Sequence, residues 1–249
     1  MDIEKIIREV TRQVDRADSA SGGSNYSVRG ISSFNVPGKL EHSLLVPDLT
    51  ASTVSEAAAE ARRYQIAALC VPPYYVSLAK NALRGSGVNV CAALGVPNAL
   101  FSAAARLADA KDSLLNGAEE LDVSINAMAI KSGNYEDAKQ DLCRIVDAAR
   151  GKAAVKAAVE LALFNEEEKV RVLNLVKDCG AEYVKIQNVV SGKGADTADI
   201  AYVKQILGNN VKIKIDGGVK TLAGAAALID GGADRIGLTA TFKIARGIG

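Results

Sequence analysis

A second histidine is missing from this sequence: His42 stands alone among 249 residues. That excludes a multi-histidine metal site and leaves a Ser-His-Asp triad only one possible centre. Cysteine pairs at metal-ligand spacing are missing too. Cys70, Cys91, Cys143 and Cys179 are scattered and are read as free thiols of a reducing, cytoplasmic setting, the last three as core residues. There is no surplus of charge: 30 Lys and Arg stand against 29 Asp and Glu, and no block of one sign occurs. Nucleic acid and anionic membrane surfaces are therefore not expected partners. No apolar run approaches the about 20 residues that a membrane-spanning helix needs. Met1-Asp2-Ile3-Glu4-Lys5 opens a charged amphipathic run and not the apolar core of a signal peptide.

What the chain does have is a rhythm. Ile3, Ile6, Ile7, Val10 and Val14 form one helical stripe, and residues 17–30, rich in Ser, Gly and Asn, form a loop. Residues 1–38 are read as an extension, its helix packing on a core and its Ser19–Gly30 stretch a possible lid. From Lys39, strand candidates fall near 40–46, 66–71, 88–94, 119–125, 153–160, 182–188, 211–216 and 234–238. Helical patterns fall between them, near 51–64, 75–84, 99–116, 135–150, 165–178, 196–207 and 221–231, with a last short one near 239–246. Thr50 or Ser52, Asn134, Asn165 and Thr221 are capping types before helices, and Gly117, Gly180 and Gly232 stand where helices should stop. Strict alternation means a parallel sheet, and eight repeats in this length point to one α/β domain, a (β/α)8 TIM barrel with an N-terminal helical extension. A doubly wound open sheet would want a glycine-rich fingerprint after the first strand, where the chain has Pro47-Asp48-Leu49-Thr50.

Several strands alternate in an unusual way. In Tyr183-Val184-Lys185-Ile186-Gln187 and Val211-Lys212-Ile213-Lys214-Ile215-Asp216, one face is aliphatic and the other carries lysine, glutamine and aspartate. Asp122, Ser124 and Asn126 repeat the pattern, as do Lys156 and Glu160. If the aliphatic faces meet the outer helices, the barrel interior holds Lys156, Lys185, Lys212 and Lys214 against Asp122, Glu160 and Asp216. Buried charges must be paired, so a purely structural ion network is one reading. The other is chemical, because barrel active sites sit at the C-terminal strand ends. Two ammonium groups about 5 Å apart at an effective dielectric near 20 repel by roughly 3 kcal/mol, or about two pKa units. Desolvation acts in the same direction. One lysine is then expected to be neutral, able to form a Schiff base with a carbonyl, with Asp122 near enough to move protons.

These residues carry a family resemblance. Leu40-Glu41-His42-Ser43-Leu44-Leu45-Val46-Pro47-Asp48, Leu69-Cys70-Val71, Gly85-Ser86-Gly87-Val88, Glu120-Leu121-Asp122-Val123-Ser124-Ile125-Asn126, Lys131-Ser132-Gly133, Tyr183-Val184-Lys185, Lys212-Ile213-Lys214 with Gly217-Gly218-Val219-Lys220-Thr221, and Gly232-Ala233-Asp234-Arg235-Ile236-Gly237 follow one another as in the class I deoxyribose-phosphate aldolases. The resemblance spans about Leu40 to Ile244. It implies reversible cleavage of 2-deoxyribose 5-phosphate into acetaldehyde and glyceraldehyde 3-phosphate, without metal or other cofactor, in a possible homodimer. It places Lys185 on the Schiff-base lysine, Lys214 on the lysine that lowers its pKa, and Asp122 on the proton relay. Lys156 and Glu160 fall on supporting positions, and Cys70 on a matching strand end, where it is read either as a small core residue or as a substrate contact.

The sequence also departs from the family. Ile186-Gln187-Asn188-Val189-Val190 replaces a Thr, Ser, Thr and Gly run that helps hold the phosphate, and Gly237-Leu238-Thr239-Ala240 replaces Gly-x-Ser-Ser. Glu41 stands where the family has aspartate, and Gly95-Val96-Pro97-Asn98-Ala99-Leu100 replaces Gly-Phe-Pro followed by a Gly. The remaining phosphate donors are the backbone amides of Gly217 and Gly218, with Thr239 and Lys193. Two other readings therefore stand: a related aldolase for another sugar phosphate or an unphosphorylated carbonyl compound, and a barrel that binds a sugar phosphate or a protein partner without turning it over.

Overall fold

The computed structural model describes residues 36–96, 99–187, 192, 194 and 196–247. The expected N-terminal helix, the Ser19–Gly30 loop and Lys193 lie outside the described residues. Eight parallel strands close into a barrel in sequence order. They are β1 (Leu40–Ser43), β2 (Ala68–Val71), β3 (Asn89–Leu94), β4 (Glu120–Ser124), β5 (Ala154–Glu160), β6 (Tyr183–Gln187), β7 (Lys212–Asp216) and β8 (Arg235–Leu238), with β8 pairing back onto β1. The outer elements are α1 (Ala51–Tyr64), α2 (Val76–Leu83), α3 (Ala103–Leu115), the short α4 (Ala127–Lys131), α5 (Tyr135–Ala149), α6 (Glu166–Cys179), α7 (Thr197–Leu207), α8 (Leu222–Asp230) and α9 (Thr241–Ala245). All eight strand candidates are present. The five-residue α4 was not anticipated; it is too short to show a helical period.

Local chemistry accounts for most boundaries. The side chains of Thr50, Asn165 and Thr221 accept from the amides of Thr53, Glu168 and Gly224, each satisfying an otherwise orphaned donor of the first turn. Asn165 and Glu168 form a reciprocal capping box, and so do Asp196 and Asp199 at α7. Asn134 occupies its cap position without a side-chain hydrogen bond. Gly180 ends α6 at φ 78°, a left-handed conformation that glycine adopts without steric cost.

The strands split their faces as the alternation requires. Leu121 and Val123, Val155, Ala157 and Val159, Val184 and Ile186, and Ile213 and Ile215 are buried against the helices in one continuous apolar core. Inside the barrel, Asn89 at the start of β3 donates to Glu120, and Ala68, Cys70 and Cys91 of β2 and β3 pack together with Ala93 beside them. That leaves room for long side chains reaching across from β5 to β7.

Two expectations are corrected. Lys212 is exposed: it is the first residue of β7, at the N-terminal rim, where the inward face has already run out of barrel, and its ammonium lies 5.3 Å from the centre of the Tyr183 ring. The four cysteines are not all free thiols. Cys143 of α5 and Cys179 of α6 are joined in a disulfide across neighbouring outer helices, with Cα atoms 4.8 Å apart, within the range a bridge needs. Cys70 and Cys91 are free and buried.

Candidate active site

The interior charges meet in two layers. In the upper one, Lys185 Nζ lies 2.8 Å from Asp122 Oδ2 and 2.8 Å from Asp216 Oδ2. Lys214 Nζ lies 2.7 Å from the same oxygen of Asp122 and 2.6 Å from Glu41 Oε2. The register explains the meeting: Lys185 and Lys214 are directly paired across β6 and β7, and Asp122 stands opposite Lys156 across β4 and β5. In the lower layer, Lys156 Nζ donates to both oxygens of Glu41 at 2.8 and 2.7 Å and pairs with Glu120. Arg235 closes that layer 3.4 Å from Glu120.

Lys156, Lys185, Lys214, Glu41 and Asp122 are fully buried, and Glu120 is nearly so. Four cations, counting Arg235, then balance four carboxylates: Glu41, Glu120, Asp122 and Asp216. This balance is what makes the burial tolerable, since an unpaired buried charge is far more costly than a paired one. Three members, Glu41, Glu120 and Arg235, are not among the candidates drawn from strand alternation. Glu41 was noted only as a departure from aspartate, and Glu120 was not weighed, although it lies two residues before Asp122 on the same strand face.

The electrostatics correct the lysine argument. Burial favours a neutral Lys185, but Asp122 and then Asp216 outweigh both burial and the repulsion from Lys214, and its pKa is raised. Burial likewise opposes ionisation of Asp122, yet Lys185, Lys214 and Lys156 together hold its carboxyl well below the usual range. Lys214 is raised in the same way, burial being overcome by Asp122 and Glu41. The carboxylate that Lys185 and Lys214 share outweighs their mutual repulsion.

Above the ion layers the strand ends open. Asp216, Gly217, Gly218, Gly237 and Thr239 line a cavity of about 380 Å³ at the C-terminal mouth, with Gln187 on its border. Gly217, Gly218 and Thr239 therefore share one compartment. The amide of Gly217, however, donates to the carbonyl of Gly237 at 3.0 Å and is committed to the barrel. Gly218, at φ 81°, lies so close to Gly194 that a Cβ on it would stand 2.5 Å from Gly194 Cα. Gly237 also contributes by its lack of a side chain: a Cβ there would stand 1.9 Å from Asp216 Oδ1 and 2.9 Å from Lys214 Cε. Glu160 is buried and lines a second, more apolar cavity of about 370 Å³ with Ile125, Met128, Leu163 and Phe164, also bordered by Gln187. Cys70 lies below the mouth, its sulfur 4.0 Å from Asp122, and does not line the cavity that Gly217 and Gly218 share.

Among the described residues, two buried donor sets have the spacing of metal ligands: Cys70, Cys91 and Asp122, and Glu41, Cys91 and Glu120. They do not fit an ion. The ammonium of Lys156 already lies 3.6 Å from Cys91 Sγ and 3.4 Å from Asp122 Oδ1, in contact with Glu41 as well. Burial, with Cys70 and Asp122 beside it, pushes the Cys91 thiol well up, away from the thiolate a metal requires. No helix among the described residues is long and apolar enough to cross a membrane.

No family model matches the chain. A deoxyribose-phosphate aldolase of Geobacillus sp. (strain WCH70) is 37% identical over 213 residues, covering 86% of this chain and 96% of that one. A deoxyribose-phosphate aldolase of Bacillus mycoides (strain KBAB4) is 36% identical over 211 residues, covering 85% and 95%. Among solved structures, the aldolase QR15 superposes with a TM-score of 0.80 at 29% identity, over 85% of this chain and 95% of that one. A tetrameric deoxyribose phosphate aldolase from Aeropyrum pernix shares the fold, with a TM-score of 0.79 at 24% identity over 86% and 91%.

Proposed function

We propose a mechanism from one premise: the chain belongs to the deoxyribose-phosphate aldolase family. It is a class I aldolase, a lyase that cleaves 2-deoxyribose 5-phosphate reversibly to acetaldehyde and glyceraldehyde 3-phosphate through a lysine Schiff base. Lys185 is assigned as that lysine. The observation that carries this is its fully buried ammonium, held by Asp122 and Asp216 directly beneath the C-terminal mouth.

The raised pKa of Lys185 suits the cycle, although it is not the shift the two-lysine argument gives. A protonated Schiff base carries the same single positive charge as the ammonium it replaces. The carboxylates that favour the ammonium therefore favour the iminium, which is the electron sink for cleaving the neighbouring C–C bond. Lys214 has two roles in this reading: it holds Asp122 ionised and in place, and its charge offsets negative charge developing on substrate. Asp122 is the aspartate of the family's proton relay. Lys156 and Glu41, with Glu120, form the base on which the upper layer stands, and Glu160 supports from the neighbouring strand.

For the phosphate, Gly218, Thr239 and Lys193 are the proposed donors, with Gly217 shaping the turn. A cytoplasmic location and a homodimer complete the proposal; size-exclusion chromatography with light scattering tests the second. The altered phosphate loops keep a related substrate as the second reading. Rates on 2-deoxyribose 5-phosphate and on unphosphorylated 2-deoxyribose separate the two. A preference for the phosphate ester of at least tenfold in kcat/KM supports the assigned substrate, and equal rates favour the unphosphorylated one. Lys185→Leu abolishes both activities if the lysine is correctly assigned.

A further inference from the structure

We propose that Asp216 is a second catalytic carboxylate, the one that takes and returns protons at Lys185 while the Schiff base forms and breaks. The inference rests on the assignment of Lys185 as the Schiff-base lysine. Two carboxylates touch that ammonium at the same distance of 2.8 Å, and their surroundings differ. Asp122 is fully buried and shared: its Oδ2 serves both Lys185 and Lys214, its Oδ1 lies 3.4 Å from Lys156 and 3.3 Å from Cys91 Sγ. A carboxylate held by three ammonium groups is a weak base toward a proton in transit. Among the described residues Asp216 has one ammonium on its Oδ2; its side chain is 19% exposed and stands in the wall of the cavity where substrate enters.

Its neighbours leave it that freedom. Asp216 is the last residue of β7, one position from the Gly217–Gly218 turn. The adjacent strand offers glycine at 237, and only glycine leaves space for Oδ1, since a Cβ would stand 1.9 Å from it. The carboxylate is thus seated between the amine and the cavity, in reach of both.

The proton balance closes on this one group. The Lys185 ammonium gives a proton to Asp216, and the free amine pair forms the C–N bond. The carbonyl π pair moves to oxygen, which takes that proton from Asp216. The carbinolamine nitrogen, still carrying two hydrogens and a positive charge, passes one to Asp216, which delivers it to the hydroxyl. Water leaves, the nitrogen pair forms the C=N bond, and the iminium keeps one hydrogen. Asp216 ends as the carboxylate it began as. Asp122 stabilises the cation during these transfers at Lys185, and its place in the proton relay belongs to the C–C cleavage that follows.

The test is the rate at which borohydride traps acetaldehyde on Lys185, followed by intact mass in wild type, Asp216→Ala, Asp216→Asn and Asp122→Asn. General-base catalysis of this kind is worth about 100-fold or more. Asp216→Ala should trap at least about 100-fold more slowly, and added formate should restore rate in proportion to its concentration, because the vacated position opens on the cavity. Asp216→Asn keeps the shape and should be as slow, yet formate should not rescue it. Asp122→Asn should show no formate rescue. Rates of both Asp216 variants within threefold of wild type would overturn the proposal. So would a slow Asp216→Ala that formate does not restore, which would make Asp216 a positioning residue. Absence of trapping in the wild type would instead overturn the assignment of Lys185 itself.

Discussion

A methyl group on Gly237 would stand 1.9 Å from Oδ1 of Asp216. The two residues face each other across β7 and β8, where they are register partners. Gly237→Ala must therefore turn the Asp216 carboxylate away from Lys185. A displacement of about 1 Å at a reacting group costs roughly 100-fold in rate. We expect kcat/KM for 2-deoxyribose 5-phosphate to fall by about that factor while circular dichroism stays that of the native barrel. An unchanged rate in a folded Gly237→Ala would show that the contact between Asp216 and Lys185 is dispensable.

Asp122 balances Lys185 and Lys214 at once. Asp122→Asn leaves buried cations short of a partner, which costs about 3–5 kcal/mol. Urea unfolding should show that loss, and Asp122→Asn combined with Lys214→Met should recover part of it by removing one of the stranded charges. If the double variant is the less stable by the sum of its parts, the pair does not act through a shared carboxylate.

His42 gives the fold a defined acid sensitivity. It is buried, its ring centre 4.3 Å from that of Phe242 and its Nδ1 3.2 Å from Thr241 Oγ1, and burial lowers its pKa from 6.5 to about 4. The unfolded chain therefore binds the proton more readily between those values. Stability from this residue is full above pH 6.5 and is lost as pH falls toward 4, by about 3 kcal/mol in all. His42→Asn should flatten that part of the stability profile. Parallel slopes for the two proteins between pH 4 and 6.5 would contradict the assignment.

The disulfide joins outer helices, remote from the ion layers. Its sequence separation of 36 gives, on the chain-entropy account, about 3–4 kcal/mol of stabilisation. Reduction, or Cys143→Ser with Cys179→Ser, should lower unfolding stability by about that amount and leave the trapping rate at Lys185 unaltered. Thiol titration of the unreduced, denatured protein should find the thiols of Cys70 and Cys91 alone.

Much of the site is legible in the sequence because the strand period is two and the barrel has one inside. Lys185 and Lys214 cannot share a face with Gln187 and Asp216 unless all four point inward, and the aliphatic residues between them fix which side that is. The same rule misled at Lys212, because periodicity gives the face of a strand and not the point where the barrel ends. It also could not say which charges meet. Glu41 on β1 reaches Lys156 on the opposite strand β5 and Lys214 two strands away on β7, contacts set by closure of β8 on β1, and no local pattern encodes them. The pairing of Cys143 with Cys179 was hidden for a related reason: it depends on how α5 and α6 lie against each other. The ionisation of Lys185 is not legible from two neighbouring lysines alone, because the aspartate between them, brought there by β4, decides its sign.

Lys185 is the residue that becomes covalently bound. Intact mass after borohydride treatment with acetaldehyde, followed by peptide mapping, should find one added ethyl group per chain, on Lys185, and none in Lys185→Leu. An ethyl group mapped to Lys214 or Lys156 instead, or a folded wild type that takes up none, would contradict the assignment of Lys185.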